Sequence, residues 1–251
     1  MILKKFKNTV YFILLACISC TAQQSKTKPL SHLNLGANQT KTYLPLLQGK
    51  EIGIVGNQTS VVFSSELDQV HLVDSLLKHN ISIKRVFAPE HGFRGAADAG
   101  EHIKDGTDSK TGLTIISLYG DQKKPKPEHL KDLDLIIFDI QDVGARFYTY
   151  ISTLHYIMEA CAEEGIELLV LDRPNPNGHY IDGPVLEKEF QSFVGMHPVP
   201  VVHGLTIGEY AQMINGEKWL KNGAQCQLKV IHLKNYSKNQ TYKLPINPSP
   251  N

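Results

Sequence analysis

Residues 133–150 read LDLIIFDIQDVGARFYTY, an apolar run that opens directly into a polar stretch. The leucine and β-branched side chains of residues 133–140 are typical of a buried strand. The residues that follow carry amides, a carboxylate, Arg, Tyr and Gly, which are typical of a ligand-binding loop at a strand end. The stretch therefore predicts an α/β enzyme with a functional loop after a central strand.

Similar apolar runs alternate with amphipathic segments from Glu51 onward, which is the pattern of βα units. The predicted strands are 52–56, 83–88, 113–119, 133–140, 166–171 and about 227–233. The predicted helices are 66–79, 149–163 and 206–220. Thr206 and Glu209 have the spacing of a capping box at the start of the last helix. The predicted fold is α/β, with a Rossmann-like, mostly parallel sheet flanked by helices.

Composition and charge narrow the class of protein. The chain has 251 residues, 41% of them hydrophobic, and its 26 Lys and Arg balance 25 Asp and Glu to a net charge of +1. This composition is that of a globular protein with a substantial core. Without a basic block, nucleic acid is not an expected partner.

The N-terminal segment has the pattern of an export signal. Three lysines precede the apolar run 10–18, which at about ten residues is too short for a bilayer span of roughly 20. Cys20 or Cys17 is the expected lipidation site of a bacterial lipoprotein. The alternative is simple cleavage after Ala22, which gives a soluble product. We therefore expect an exported protein, in the periplasm or attached to the outer membrane by a lipid anchor.

The expected domain boundaries follow from these patterns. Residues 1–22 are the signal, residues 23–45 are a linker and lead-in, and residues 46–251 are the catalytic domain with the start of a C-terminal part. Cys161 and Cys226 are expected to be buried free thiols within it, with a disulfide between them as the alternative.

The sequence lacks the motifs of several common kinds of binding or catalytic site. The residues after the first strand, Gly56 to Thr59, contain no glycine-rich dinucleotide or phosphate motif, and no G-x-S-x-G nucleophile elbow occurs. His91 and His102 lie in an irregular segment without the spacing of a metal site. We therefore expect neither a cofactor nor a metal.

Acid–base hydrolysis of a glycoside fits the polar strand ends better, because it requires a carboxylic acid and usually a second carboxylate. Glu90, behind Pro89 at a predicted strand end, is the best placed acid. Glu101 and Asp142 are candidates for the second group.

Other side chains at these ends are candidates for binding. Arg146 and Arg173 are expected either to clasp a ligand carboxylate or to form structural salt bridges. Tyr148 and Tyr150 straddle a predicted helix start, so that one can face a sugar ring while the other packs in the core. Arg94 lies in the loop after Glu90.

As a set, these residues resemble the NamZ-type exo-β-N-acetylmuramidases, a family long known only as a domain of unknown function. The similarity runs from about Leu46 to the last residue. It is carried by the motifs APEHGFRG (88–95), AGE (99–101), FDIQDVGARFYTY (138–150), LDRPNP (171–176), DGP (182–184) and HGLTIGE (203–209).

The resemblance implies removal of terminal N-acetylmuramic acid from the non-reducing end of peptidoglycan fragments, so that a muropeptide or disaccharide is the expected partner. It implies a Rossmann-like domain followed by a smaller domain, which in this chain we expect to be largely missing. It places the catalytic glutamate at Glu90. The implied cleft residues are Asn57, Gln58, His91, Gln141, Asp142, Arg146, Tyr148, Arg173, Asn175 and His203.

Two alternatives remain at the level of sequence. One is a non-catalytic envelope lipoprotein that binds muropeptides. The other is a glycosidase for a different N-acetylhexosamine, for which a sugar without the lactyl group would be the better substrate.

Overall fold

A computed structural model describes residues 32–64, 68–95 and 105–249 of the chain. The expected signal with Cys17 and Cys20, and the candidate carboxylate Glu101, lie outside these residues. In the described ranges, no helix is both long and apolar enough to cross a membrane.

Helices and strands alternate along the described chain. The strands are β1 Glu51–Gly56, β2 Val61–Phe63, β3 Gln69–His71, β4 Ser82–Ala88, β5 Gly106–Thr107, β6 Thr114–Ser117, β7 Leu135–Asp139, β8 Glu167–Leu171 and β9 Leu228–Ile231. The α-helices are α1 Thr40–Leu47, α2 Leu72–Lys78, α3 Pro127–Leu130, α4 Tyr150–Glu164 and α5 Ile207–Gly216.

Seven of these strands form one sheet in the order β5-β6-β4-β1-β7-β8-β9. Every neighbouring pair is parallel except β5 with β6. β2 and β3 form a separate antiparallel pair. The sheet confirms the predicted α/β, Rossmann-like class.

Strand β7, which lies between β1 and β8, is buried along its whole length, because helices cover both faces of the sheet. Ile136 and Phe138 pack in a core that includes side chains of α4 and α5. Leu135 and Ile137 point to the other face, into a core that includes side chains of α1 and α2. Each such side chain stabilises the fold by roughly 1.5–3 kcal/mol, which fixes β7 and the loop that follows it.

The prediction of one helix over 66–79 is wrong in its first part. Gln69–His71 is a strand that pairs with β2, and the helix begins only at Leu72. The His71 side chain accepts a hydrogen bond from the Val73 amide and so caps the helix. Long-range pairing with β2 therefore overrides the local helical pattern.

The other two predicted helices are present. α4 covers Tyr150–Glu164 and ends at Gly165, whose φ of +70° is a conformation that favours glycine. α5 begins after Thr206 with the expected capping box to Glu209, and it ends at Gly216, earlier than predicted. Cys161 and Cys226 are buried free thiols, as expected.

The segment before β1 packs on the sheet. Tyr43 and Leu47 of α1 are fully buried, and the Gly36 amide donates to the Asp172 carbonyl. A Cβ atom at Gly36 would lie 2.4 Å from the Asp172 nitrogen, so only glycine allows this close approach.

Candidate active site

The carboxyl ends of β1, β4, β7 and β8 bring together most of the polar residues that the sequence singled out. Asn57 follows β1, Glu90 follows β4, Gln141 and Asp142 follow β7, and Arg173 follows β8. The parallel order of the four strands thus accounts for their common edge.

Glu90 lies at the wall of a cavity of about 210 Å³. The cavity is lined by Glu90, His91, Phe147, Tyr148, Thr149, Tyr150 and Ser249. The Thr149 hydroxyl donates to Glu90 Oε2 over 3.2 Å. Tyr119 also hydrogen-bonds to Glu90, and burial followed by this contact raises the pKa of Tyr119. Glu90 is therefore positioned by two hydroxyl groups beside a space that a ligand can enter.

His91 is buried and has a φ of +70°. Few residues other than glycine adopt this conformation, which costs backbone strain of about 1–3 kcal/mol. The turn that it forms is closed by the Gly92 amide, which donates to the Pro89 carbonyl. The strained turn fixes the direction in which Glu90 leaves β4.

Two aromatic residues of the loop before α4 give the cavity an apolar surface. Phe147 is 59% exposed although it is large and hydrophobic. The half-buried Tyr148 ring packs edge-on against Tyr150, with centroids 5.1 Å apart. Exposed aromatic faces next to a carboxylate suit a sugar ring, whose C–H faces are apolar.

Asn57, Gln58 and Tyr150 hold a covering segment, residues 247–249, over this edge. Gln58 Nε2 donates to the carbonyls of Asn247 and Pro248 over 3.2 and 3.0 Å. The Tyr150 hydroxyl donates to the Pro248 carbonyl over 2.8 Å and accepts from Asn57 Nδ2 over 2.9 Å. These three predicted binding residues thus shape the cavity through the covering segment, while Tyr150 also lines it.

Asp142 and His203 lie together below the surface, 4% exposed each. Asp142 Oδ2 accepts from the Gly144 amide over 2.7 Å. His203 Nδ1 accepts from the Leu205 amide over 3.2 Å. His203 Nε2 is 3.7 Å from Asp142 Oδ2, a distance too long for a hydrogen bond.

Gln141 and Asn175 support the loops and do not open into the cavity. Gln141 Nε2 donates to the carbonyls of Asp142 and Pro174, both over 2.7 Å. Asn175 Nδ2 donates to the Leu205 carbonyl over 2.9 Å. Gly144 packs against Asn175 so closely that a Cβ atom would lie 2.2 Å from its side-chain oxygen.

The three arginines that the sequence predicted for the site all form hydrogen bonds to other groups of the protein. Arg173 is 3% exposed and forms a bidentate pair with Asp139 over 2.6 and 2.8 Å, so the structural salt bridge describes it and the ligand clasp does not. Arg94 forms a similar pair with Asp108 over 2.8 and 2.7 Å. Arg146 Nη1 donates to the carbonyls of residues 184 and 199. None of the three lines the Glu90 cavity.

Four residues at the site were not among those predicted from the sequence: Tyr119, Phe147, Thr149 and Ser249. Phe147 and Thr149 lie inside the polar stretch after β7, so their position was a usable signal. Tyr119 ends the predicted strand 113–119, so its position was a usable signal too, whereas only the fold brings Ser249 to Glu90. Across the three described ranges, no group of three or more His, Cys, Asp or Glu side chains could hold a metal ion.

Comparisons with known proteins agree on one family. The model of "Exo-beta-N-acetylmuramidase NamZ, N-terminal" matches residues 52–251. Peptidoglycan β-N-acetylmuramidase NamZ of Bacillus subtilis (strain 168) is 46% identical over 215 residues, which are 83% of this chain and 50% of that protein.

Two crystal structures of DUF1343 family proteins from Bacteroides fragilis are also similar. One has a TM-score of 0.77 and 47% identity, and the match covers 88% of this chain and 57% of that one. The other has a TM-score of 0.75 and 40% identity, with coverage of 84% and 52%. The chain thus spans about half the length of the relatives it matches.

Proposed function

This chain belongs to the NamZ family of exo-β-N-acetylmuramidases, and from that premise we propose that it hydrolyses peptidoglycan fragments. The bond cleaved is the glycosidic bond of a terminal N-acetylmuramic acid at the non-reducing end. The B. subtilis relative is a peptidoglycan β-N-acetylmuramidase, which supports the same substrate class for this chain.

The position of Glu90 is the observation that carries the proposal. A carboxyl group held by Thr149 and Tyr119 faces a cavity with exposed aromatic surface. Glycosidases need such an acid next to the scissile oxygen, in a pocket that binds the sugar ring.

Glu90 acts as the general acid. As the bond between C1 and the leaving oxygen breaks, the proton on the Glu90 carboxyl moves to that oxygen, so that the remaining sugar leaves as an alcohol. The oxygen of a water molecule ends on C1, and a proton of that water restores the Glu90 carboxyl. Thr149 and Tyr119 orient the carboxyl, while Phe147 and Tyr148 bind the ring.

Product analysis tests the proposal. The full chain is incubated with a disaccharide that has N-acetylmuramic acid at its non-reducing end and N-acetylglucosamine at its reducing end. Mass spectrometry should detect both free sugars. The disaccharide with the reverse order should stay intact. Cleavage of only the reverse disaccharide would contradict the proposal.

The arginine contacts favour one second candidate, a glycosidase for another N-acetylhexosamine. N-acetylmuramic acid carries a lactyl carboxylate, which an arginine could bind. The three arginines expected near the site bind Asp108, Asp139 and main-chain carbonyls instead. A faster reaction with chromogenic N-acetylglucosaminide than with the muraminide, unchanged in Arg146→Ala, would select this candidate.

We also propose that the chain is an exported lipoprotein. The lysines and apolar run of residues 1–22 support export, and so does a substrate that lies outside the cytoplasm. Mass spectrometry of the mature N-terminus should find a lipid-modified Cys20 or Cys17. An unmodified N-terminus after Ala22 would contradict the lipid anchor.

A further inference from the structure

We infer that Asp142 and His203 form a clamp for the acetamido group of the sugar, an inference that rests on the proposed function. The two side chains come from different loops, after β7 and before α5, and both are buried. Asp142 Oδ1 and His203 Nε2 are buried without a hydrogen-bond partner among the described residues.

Each side chain is anchored through its other polar atom. Asp142 Oδ2 is held by the Gly144 amide, and His203 Nδ1 is held by the Leu205 amide. The His203 ring also packs edge-on against Tyr210, with centroids 4.8 Å apart. Two polar atoms on anchored side chains thus stay unsatisfied, and a ligand that bonds to both recovers the cost of burying them.

The polarity of these two atoms identifies the ligand group. Because His203 Nδ1 accepts a hydrogen bond, the neutral ring carries its proton on Nε2. The pair therefore offers one donor, His203 Nε2, beside one acceptor, Asp142 Oδ1. A secondary amide supplies the complementary N–H and C=O. The lactyl carboxylate has no donor and would be repelled by Asp142.

Tyr148 connects this pair to the cavity. It lines the cavity beside Glu90, and burial followed by the negative charge of Asp142 raises the pKa of its hydroxyl to about 12. Both unsatisfied atoms lie below the surface, so the acetamido group would reach them past the Tyr148 side chain, which lines the cavity. The sugar ring then spans from Glu90 to the clamp.

Calorimetry tests the clamp without turnover. The full chain carrying Glu90→Gln is titrated with the methyl β-glycoside of N-acetylmuramic acid and with its 2-deoxy analogue, in which hydrogen replaces the acetamido group. This parent should bind the acetamide about tenfold more tightly or better, a difference typical of paired against unpaired buried polar groups.

Two substitutions remove one half of the clamp each. Asp142→Asn leaves an oxygen for the Gly144 amide and replaces the acceptor by a donor. His203→Asn leaves an oxygen for the Leu205 amide and removes the Nε2 donor. Either variant should reduce the preference for the acetamide to about twofold or less. The control, Asp134→Asn, changes an exposed carboxylate at the opposite end of β7 and should keep the preference.

The outcomes separate the clamp from the proposed function. An unchanged preference in both folded variants overturns the clamp, as does a crystal structure of the acetamide complex in which only water contacts the two atoms. If one variant does not fold, the other decides. Failure of the wild-type chain to cleave the disaccharide overturns the proposed function, whereas the binding preference is measured independently of cleavage.

Discussion

At the scale of single residues, the contacts of Arg173 show why a residue type does not define a role. Its guanidinium lies at the carboxyl edge of the sheet but is neutralised by Asp139 and also donates to the Val61 carbonyl over 3.0 Å. A charge buried to this extent requires a partner. Arg173 therefore joins the β7 and β8 ends and fixes the site from below.

Substitution of Arg173 should lower stability more than it lowers ligand affinity. In Arg173→Met, Asp139 stays buried without its partner, and the free energy of unfolding should fall by about 3–5 kcal/mol. Urea denaturation measures this change. Lys50→Met, which breaks the partly exposed pair with Glu167, should cost about 1 kcal/mol or less. Unchanged stability with weaker sugar binding would instead support the ligand clasp.

His71 should make the protein sensitive to acid. Its Nδ1 accepts from the Val73 amide, and its Nε2 lies 3.0 Å from the Asn57 carbonyl. Burial lowers the pKa of His71 to about 4. As pH falls below about 6.5, the unfolded chain binds a proton that the folded chain excludes, so stability is lost by up to about 1.4 kcal/mol per pH unit.

Urea denaturation at pH 7, 6 and 5 should show this loss, and His71→Gln should have a smaller slope than the parent. The exposed His79 provides the control, since His79→Gln should keep the parent slope. Equal slopes in the parent and His71→Gln would assign the acid sensitivity to other groups.

At the scale of elements, the sequence predicted those whose signals are local. The capping box specifies the start of α5, and the apolar run specifies β7, without information from other parts of the chain. The start of α2 could not be predicted in this way, because residues 69–71 form a strand only in the presence of β2. The same limit applied to α1, whose buried side chains pack against the sheet.

The cap of α5 should add more to the free energy of unfolding than an isolated helix cap does. Thr206 Oγ1 accepts from the Glu209 amide over 3.2 Å and donates to the buried Asp172 Oδ2 over 3.0 Å. Thr206→Ala removes both contacts and should lower the free energy of unfolding by about 2 kcal/mol. Thr206→Ser should retain most of it. A loss equal in both variants would show that the hydroxyl is not responsible.

At the scale of the whole molecule, strand order decides which side chains meet. The sequence predicted that the ends of β1, β4, β7 and β8 would converge, because parallel strands share one carboxyl edge. The sequence could not show which polar atoms at that edge bond to other parts of the protein and which are available to a ligand. Gln58 and Tyr150 bind the covering segment, residues 247–249. Along the chain, Pro248 of this segment is 190 residues from Gln58 and 98 residues from Tyr150.

The central claim is that Glu90 supplies the proton for cleavage of a muraminide, and its most direct test is the rate of chromophore release from a chromogenic β-N-acetylmuraminide. The full chain should release the chromophore. Glu90→Gln keeps the shape of the side chain but has no acidic proton, and it should reduce the rate by about 10²-fold or more. Glu128→Gln changes an exposed side chain of α3 and should leave the rate unchanged. Undiminished release by Glu90→Gln would contradict the account.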